Sequence, residues 1–261
     1  MNDLASDFAE TGYAVIRNAL DPALCQSFGD EVTSEYQRLT GSGWVFRESG
    51  GISGHLNIRM GQAGRGLIAA FREAGLEDTI RSLAGEPAEL MQAVGNLNVP
   101  GSCTQDFHMD GGFDRPILIA NVCLVPTTAR NGATELVPES HLTHLSYWRF
   151  ARDGWRKRVI APQLQPGDVL IRVSTVWHRG TPNHSAVPRP MASFAYVPSR
   201  LVPDDAHCTD LDGPLTIFAN KYYGRFRRLK EFTAARLPLL DEALRQGRSL
   251  LAERALHSNR A

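Results

Sequence analysis

A mainly β fold, a sandwich or jelly roll with helices at both ends, is what the sequence predicts. Short β-prone runs crowd the stretch from about residue 90 to 200, including Leu118–Val125, Val159-Ile160, Val169–Val173 and Met191–Val197. Turn signals separate them: Pro100-Gly101, Gly111-Gly112, Asn131-Gly132, Pro166-Gly167 and Pro182-Asn183. Many short strands with such punctuation form two packed sheets more readily than a helical core.

The flanks read differently. Gly12-Tyr13-Ala14-Val15-Ile16 is a short strand, and Asp21-Pro22 is a helix N-cap followed by proline in the first turn. Leu24, Phe28, Val32 and Tyr36 then recur every fourth residue and give that helix an apolar face. Between residues 41 and 66, eight of 26 residues are glycine, interleaved with Trp44, Phe46, Arg47, His55 and Arg59. Regular structure is hard to sustain there, so this stretch is expected to be a surface loop or a lid over a site. Near the C-terminus Leu240, Leu244, Leu251 and Ala255 can line one face of a helix, preceded by a basic cluster of Lys221, Arg225, Arg227, Arg228 and Lys230 that reads as a solvated face. No repeat or linker interrupts residues 1–261, and one domain is expected.

Composition bounds the function. The chain is 43% hydrophobic and 21% charged with a formal net charge of zero, so disorder is excluded and no field draws it to nucleic acid or an anionic membrane. No run of about 18 apolar residues predicts a membrane span. Four cysteines without a C-x-x-C pair suit a reducing cytoplasm, and Cys123 in its apolar run reads as a small buried residue.

Chemistry enters at Gln105-Asp106-Phe107-His108-Met109-Asp110. In an extended chain His108 and Asp110 point to one face, about 6.6 Å apart along the strand. Pro166-Gly167-Asp168 feeds the strand that leads to Val176-Trp177-His178, roughly 70 residues later. Two histidines and a carboxylate can cover one face of an octahedral metal and leave three positions open, the arrangement of a non-haem Fe(II) oxygenase. A zinc site of the same residues would normally be tetrahedral. Arg189, 11 residues beyond His178, offers a guanidinium that grips a carboxylate bidentately.

These residues resemble the phytanoyl-CoA dioxygenase-like branch of the Fe(II)/2-oxoglutarate oxygenases. The resemblance is carried by His108-Met109-Asp110, Asn131-Gly132-Ala133-Thr134, Val137-Pro138-Glu139-Ser140-His141, Pro166-Gly167-Asp168, His178 and Arg189, and spans roughly residues 8 to 198. It implies a double-stranded β-helix, the cupin-like jelly roll, with His108, Asp110 and His178 as iron ligands and Arg189 paired with the distal carboxylate of 2-oxoglutarate. Gln105 matches a position that often contacts this co-substrate. Asn121 is a second candidate, at a point where many relatives place a tryptophan beside it, a feature this chain lacks, and Thr134 is a further candidate for the same pocket. Related halogenases replace the ligand carboxylate with alanine or glycine, and this chain keeps Asp110. With O2 as oxidant, the implied reaction is oxidation of a small-molecule metabolite, hydroxylation foremost, and natural-product biosynthesis is a compatible setting by analogy.

The rival reading is a cupin-like isomerase or lyase that uses Zn(II) or Mn(II) without 2-oxoglutarate. A binding module with a lost activity is a third. Among the other histidines, His141 reads as structural, His144 and His184 as surface, and His55 with Arg59 as candidates to face substrate. Trp44, Trp148 and Trp155 read as core or as the wall of a pocket for an apolar substrate. Substrate identity and oligomeric state are not encoded in any motif of this chain.

Overall fold

The computed structural model of the protein describes residues 2–43, 54–114, 116–218 and 237–258. Trp44, Phe46 and Arg47 of the glycine-rich stretch and the basic cluster from Lys221 to Lys230 lie outside these residues.

The chain runs α1 (Asn2–Thr11), β1 (Tyr13–Ile16), α2 (Pro22–Gly41), β2 (His55–Arg59), α3 (Arg65–Glu73), α4 (Leu76–Ala84), β3 (Ala88–Asn98), β4 (Leu118–Cys123), β5 (Thr134–Leu136), α5 (Tyr147–Arg152), β6 (Val169–Val173), β7 (His178–Gly180), β8 (Arg189–Pro198), β9 (Thr216–Phe218) and α6 (Pro238–Ser258). A seven-stranded sheet has the order β1-β6-β4-β8-β3-β2-β9, and its strand pairs are antiparallel. A smaller sheet pairs β5 with β7 and is widened by bridges from His108 to His178 and from Leu136 to Ile160. Two facing antiparallel sheets of this kind are the expected jelly roll.

Strand alternation explains the layers. Leu118, Ala120 and Val122 of β4, with Ala192, Phe194 and Tyr196 of β8, point away from the small sheet into a core shared with Phe8, Phe28, Val32, Leu67, Phe71 and Ile80 from the helices. Ile119, Asn121 and Cys123 therefore face the other way, into the space between the sheets. The small sheet is also two-sided. Leu136 and Ile160 face inward, whereas Phe107, Val137 and Trp177 pack outward on Tyr147 and Phe150 of α5. Phe150 stacks on Trp177 at 4.3 Å between centroids.

Several sequence expectations need correction. The sheet reaches beyond residues 90–200, because β1, β2 and β9 join it. Residues 55–59 form a regular strand despite the glycines around them, since Leu56 and Ile58 alternate into the helix-side core. Helices α1, α3 and α4 belong to the expected helical N-terminal flank, in which the sequence singled out α2 alone. Helix α6 does form, but Leu240, Leu244 and Leu251 are 48%, 48% and 66% exposed rather than packed inward. The face that docks is polar: Arg156 pairs with Glu242, Trp148 N donates to Ser249 Oγ, and Arg245 donates to Phe107 O at 2.6 Å.

The expected cap of α2 is present, with the Asp21 side chain accepting from Ala23 N at 2.9 Å and proline next in line. The Pro166-Gly167-Asp168 turn holds the start of that helix. Gly167 has φ 89°, and a Cβ there would lie 2.3 Å from Leu20 O, so only glycine fits. Its carbonyl accepts from Ala19 N and Leu20 N. The buried Asp168 carboxylate accepts from Asn18 N, Gln165 N and Arg17 Nη1. Burial alone would raise its pKa, but these donors hold it below the usual carboxylate value. Asp168→Ala leaves two backbone donors and a guanidinium without their acceptor, and we expect a loss of about 2–4 kcal/mol in chemical denaturation.

Candidate metal centre

The histidines meet because the backbone forces them to. His108 N donates to His178 O and His178 N donates to His108 O, both at 2.9 Å. Residues exchanging both bonds across an antiparallel pair sit directly opposite and share a face. That face is the inner one, because Phe107 and Trp177 turn outward into the aromatic cluster. The imidazole centroids come within 4.4 Å.

Asp110 joins them at the end of the strand. Its amide donates to Ser174 O at 3.0 Å, which ties it to the end of β6. Asp110 Oδ1 lies 3.7 Å from His108 Nε2, and Oδ2 lies 3.3 Å from His178 Nε2. All three residues can offer ligand atoms within 4.8 Å of one another. His178 is buried, while the Asp110 side chain is 33% exposed and faces the open side.

Protonation suits a cation. The Nδ1 atoms of His108 and His178 lie 2.8 and 3.0 Å from the carbonyls of Asp106 and Val176. A carbonyl only accepts, so each Nδ1 carries the hydrogen and each Nε2 turns a lone pair to the centre. Burial, then the charges of Arg172 and His108, push the pKa of His178 down to about 4 and keep it neutral. Burial works against ionisation of Asp110, but Arg172 and the two imidazoles hold its pKa well below the usual value. The Nε2 atoms of two Nδ1-protonated imidazoles and an ionised carboxylate therefore converge, a donor set that fits a divalent ion.

Arg189 starts β8, is 1% exposed, and donates from Nη2 to Gly132 O at 2.7 Å. Its Nε and Nη1 are buried with no hydrogen-bond partner among the described residues. Burial lowers its pKa to about 10, so it stays charged at neutral pH. His55 lies within the electrostatic reach of both Arg189 and His108. Its Nε2 is 2.8 Å from Cys103 O, and its buried Nδ1 has no partner among the described residues. Gly180 makes this packing possible: a Cβ there would sit 2.7 Å from His55 Cε1 and 2.8 Å from Gln105 Oε1.

The remaining expected residues take these places. Gln105 Oε1 accepts from Gly180 N at 2.8 Å. Asn121, buried on the inner face of β4, donates to Ser193 Oγ at 2.6 Å. Thr134 is the register partner of Gly180. His141 Nε2 is 3.1 Å from Ala9 O and so belongs to the packing of α1, while His144 and His184 are exposed. Arg59 reaches Thr209 O at 2.9 Å and Asp210 at 3.7 Å. Trp155 packs at the edge of the outward aromatic cluster.

Two residues escaped the sequence reading. Arg172, 4% exposed, reaches from β6 to Asp110 Oδ2. Its signal was a lone cation inside the apolar run Val169–Val173. Arg245 of α6 pairs with Asp106, donates to Phe107 O, and lies 3.9 Å over the Tyr147 ring. It thereby braces the two residues that precede His108, and nothing local in the sequence marked it.

Comparison with known proteins agrees with this geometry. The family model described as phytanoyl-CoA dioxygenase (PhyH) matches residues 8–191. Dioxygenase FrzG of Cladobotryum sp. is 26% identical over 230 residues, covering 77% of this chain and 75% of that protein. Two solved structures share the fold. One is the epimerase SnoN in complex with Fe3+, alpha ketoglutarate and nogalamycin RO, at TM-score 0.59 and 22% identity over 76% of this chain and 83% of that one. The other is HygX from Streptomyces hygroscopicus with nickel and 2-oxoglutarate bound, at TM-score 0.59 and 19% identity over 82% of this chain and 94% of that one.

The buried imidazoles make stability pH-dependent. His55 and His178 both titrate near 4 in the fold against an ordinary 6.5, so the unfolded chain binds more protons between those values. Their contribution is intact above pH 6.5 and is lost as pH falls toward 4. Urea unfolding of the metal-free protein across that window should show falling stability, with a shallower slope for His55→Gln.

Proposed function

The chain belongs to the phytanoyl-CoA dioxygenase family of Fe(II)- and 2-oxoglutarate-dependent oxygenases, and from that premise we propose that it hydroxylates a C–H bond of a small-molecule metabolite. His108, Asp110 and His178 would hold the iron, and Arg189 would take the distal carboxylate of 2-oxoglutarate. Bound there, iron and 2-oxoglutarate supply activation of O2: the keto acid loses CO2 and becomes succinate with one oxygen atom, and the other enters the C–H bond of the substrate. The observation that carries this reading is the three-residue donor set in a chain that also buries an arginine with two unpaired N–H groups.

Each residue has a separate task. The carbonyls of Asp106 and Val176 fix the imidazole tautomers, so no rotation is needed to present Nε2. The Gly132 carbonyl orients the Arg189 guanidinium through Nη2, and the N–H groups of Nε and Nη1 remain for a carboxylate. His55, within electrostatic reach of this arginine, stays neutral, so it adds no charge that would compete for the co-substrate. Asp110 fills the position that a halide would need, which favours hydroxylation over halogenation. The alternative is a jelly-roll isomerase or lyase that does not use 2-oxoglutarate, and metal-dependent succinate release is the measurement that separates the two.

Two outcomes test the assignment. Anaerobic addition of Fe(II) and 2-oxoglutarate should produce a visible charge-transfer band that His108→Ala and Asp110→Ala abolish. Arg189→Ala should weaken 2-oxoglutarate binding by about 100-fold, the loss of a charged bidentate pair, while iron affinity stays nearly unchanged. Unaltered co-substrate affinity in that variant would remove Arg189 from the anchor role.

A further inference from the structure

Arg172 sits in β6 with strands on both sides, opposite Tyr13 of β1 and Ile119 of β4. Its side chain is 5% exposed. A guanidinium this deep is costly unless paired. Its one charged partner among the described residues is Asp110, reached from Nη2 to Oδ2, and its Nε and Nη1 have no partner. The end of the same strand also fixes the Asp110 backbone, whose amide donates to Ser174 O two residues on. Asp110 is thus held twice from one strand end, once by its amide and once by a single carboxylate oxygen.

That asymmetry matters for a carboxylate that binds metal. A carboxylate can ligate through one oxygen or chelate through both, and chelation needs both oxygens free to approach the ion. We propose that Arg172 is a positioning residue that keeps Asp110 a one-oxygen ligand, by occupying Oδ2 and leaving Oδ1 for the ion. The inference rests on the metal-site reading above. Its consequence is arithmetic: an octahedral ion has about six positions, of which the three protein ligands take about three when Asp110 binds through one oxygen. A chelating co-substrate fills about two of the remainder and leaves about one for O2. A chelating Asp110 would consume that last position.

Water-proton relaxation of the protein loaded with Mn(II) alone counts exchangeable waters on the ion without any turnover. Wild type should show about three, and about one after 2-oxoglutarate is added. Arg172→Met should show about two, falling to about none with 2-oxoglutarate. Arg172→Lys, which restores a cation on Oδ2, should return to the wild-type count, a rescue that loss of general packing would not give. Circular dichroism establishes that each variant is folded, and Arg172→Leu is read in the same way if the methionine variant is not. A wild-type count in the folded methionine or leucine variant, or a lysine variant that matches methionine, overturns the role of Arg172. Wild type that binds no Mn(II) would instead overturn the metal site itself, so the two failures are distinguishable.

Discussion

Two backbone hydrogen bonds, exchanged between His108 and His178, govern what this molecule can do. They join chain segments about 70 positions apart and fix which side chains face inward. A slip of one residue in either strand would turn its aromatic ring, Phe107 or Trp177, into the cavity and its imidazole into the aromatic layer. The outward cluster of Phe107, Val137, Tyr147, Phe150 and Trp177 opposes that slip, because it would lose its buried rings. Metal-binding geometry is therefore secured by apolar packing on the opposite face of the same strands, where no ligand is present.

Charge organises the cavity as firmly as hydrogen bonding does. Arg172 is matched by Asp110, whereas Arg189 has only the Gly132 carbonyl. Among the described residues the cavity thus carries one buried positive charge that no neighbouring carboxylate offsets. Burial has already lowered the pKa of Arg189 to about 10 without neutralising it. A single carboxylate docked against Arg189 would offset that charge.

Much of this was legible in the sequence, and the reason is local periodicity. An H-x-D in extended chain places two ligands on one face whatever the surrounding fold, and a proline-glycine-aspartate turn declares the strand that leads to His178. Asp21-Pro22 announced α2 because capping is settled within one turn. Strand β2 was hidden because its glycine-rich surroundings suggested a loop, while its strand character came from pairing with β3 and β9. Helix α6 misled for a related reason: its leucines form a stripe, yet the contacts that dock it are made by Glu242, Arg245 and Ser249 to partners around 100 residues away. Arg172 belongs to the same class, since a charged residue in a β run faces the cavity or the core according to register alone.

The docking of α6 has a consequence for how this architecture can be altered. The helix lies outside residues 8–191, the portion held in common with the family, yet Arg245 grips Asp106 and Phe107, immediately ahead of the first histidine. The tail and that histidine's strand form one mechanical unit split across the gene. A chimera that exchanges the barrel but keeps a foreign C-terminus would separate its halves, so recombination breakpoints have to carry both pieces together.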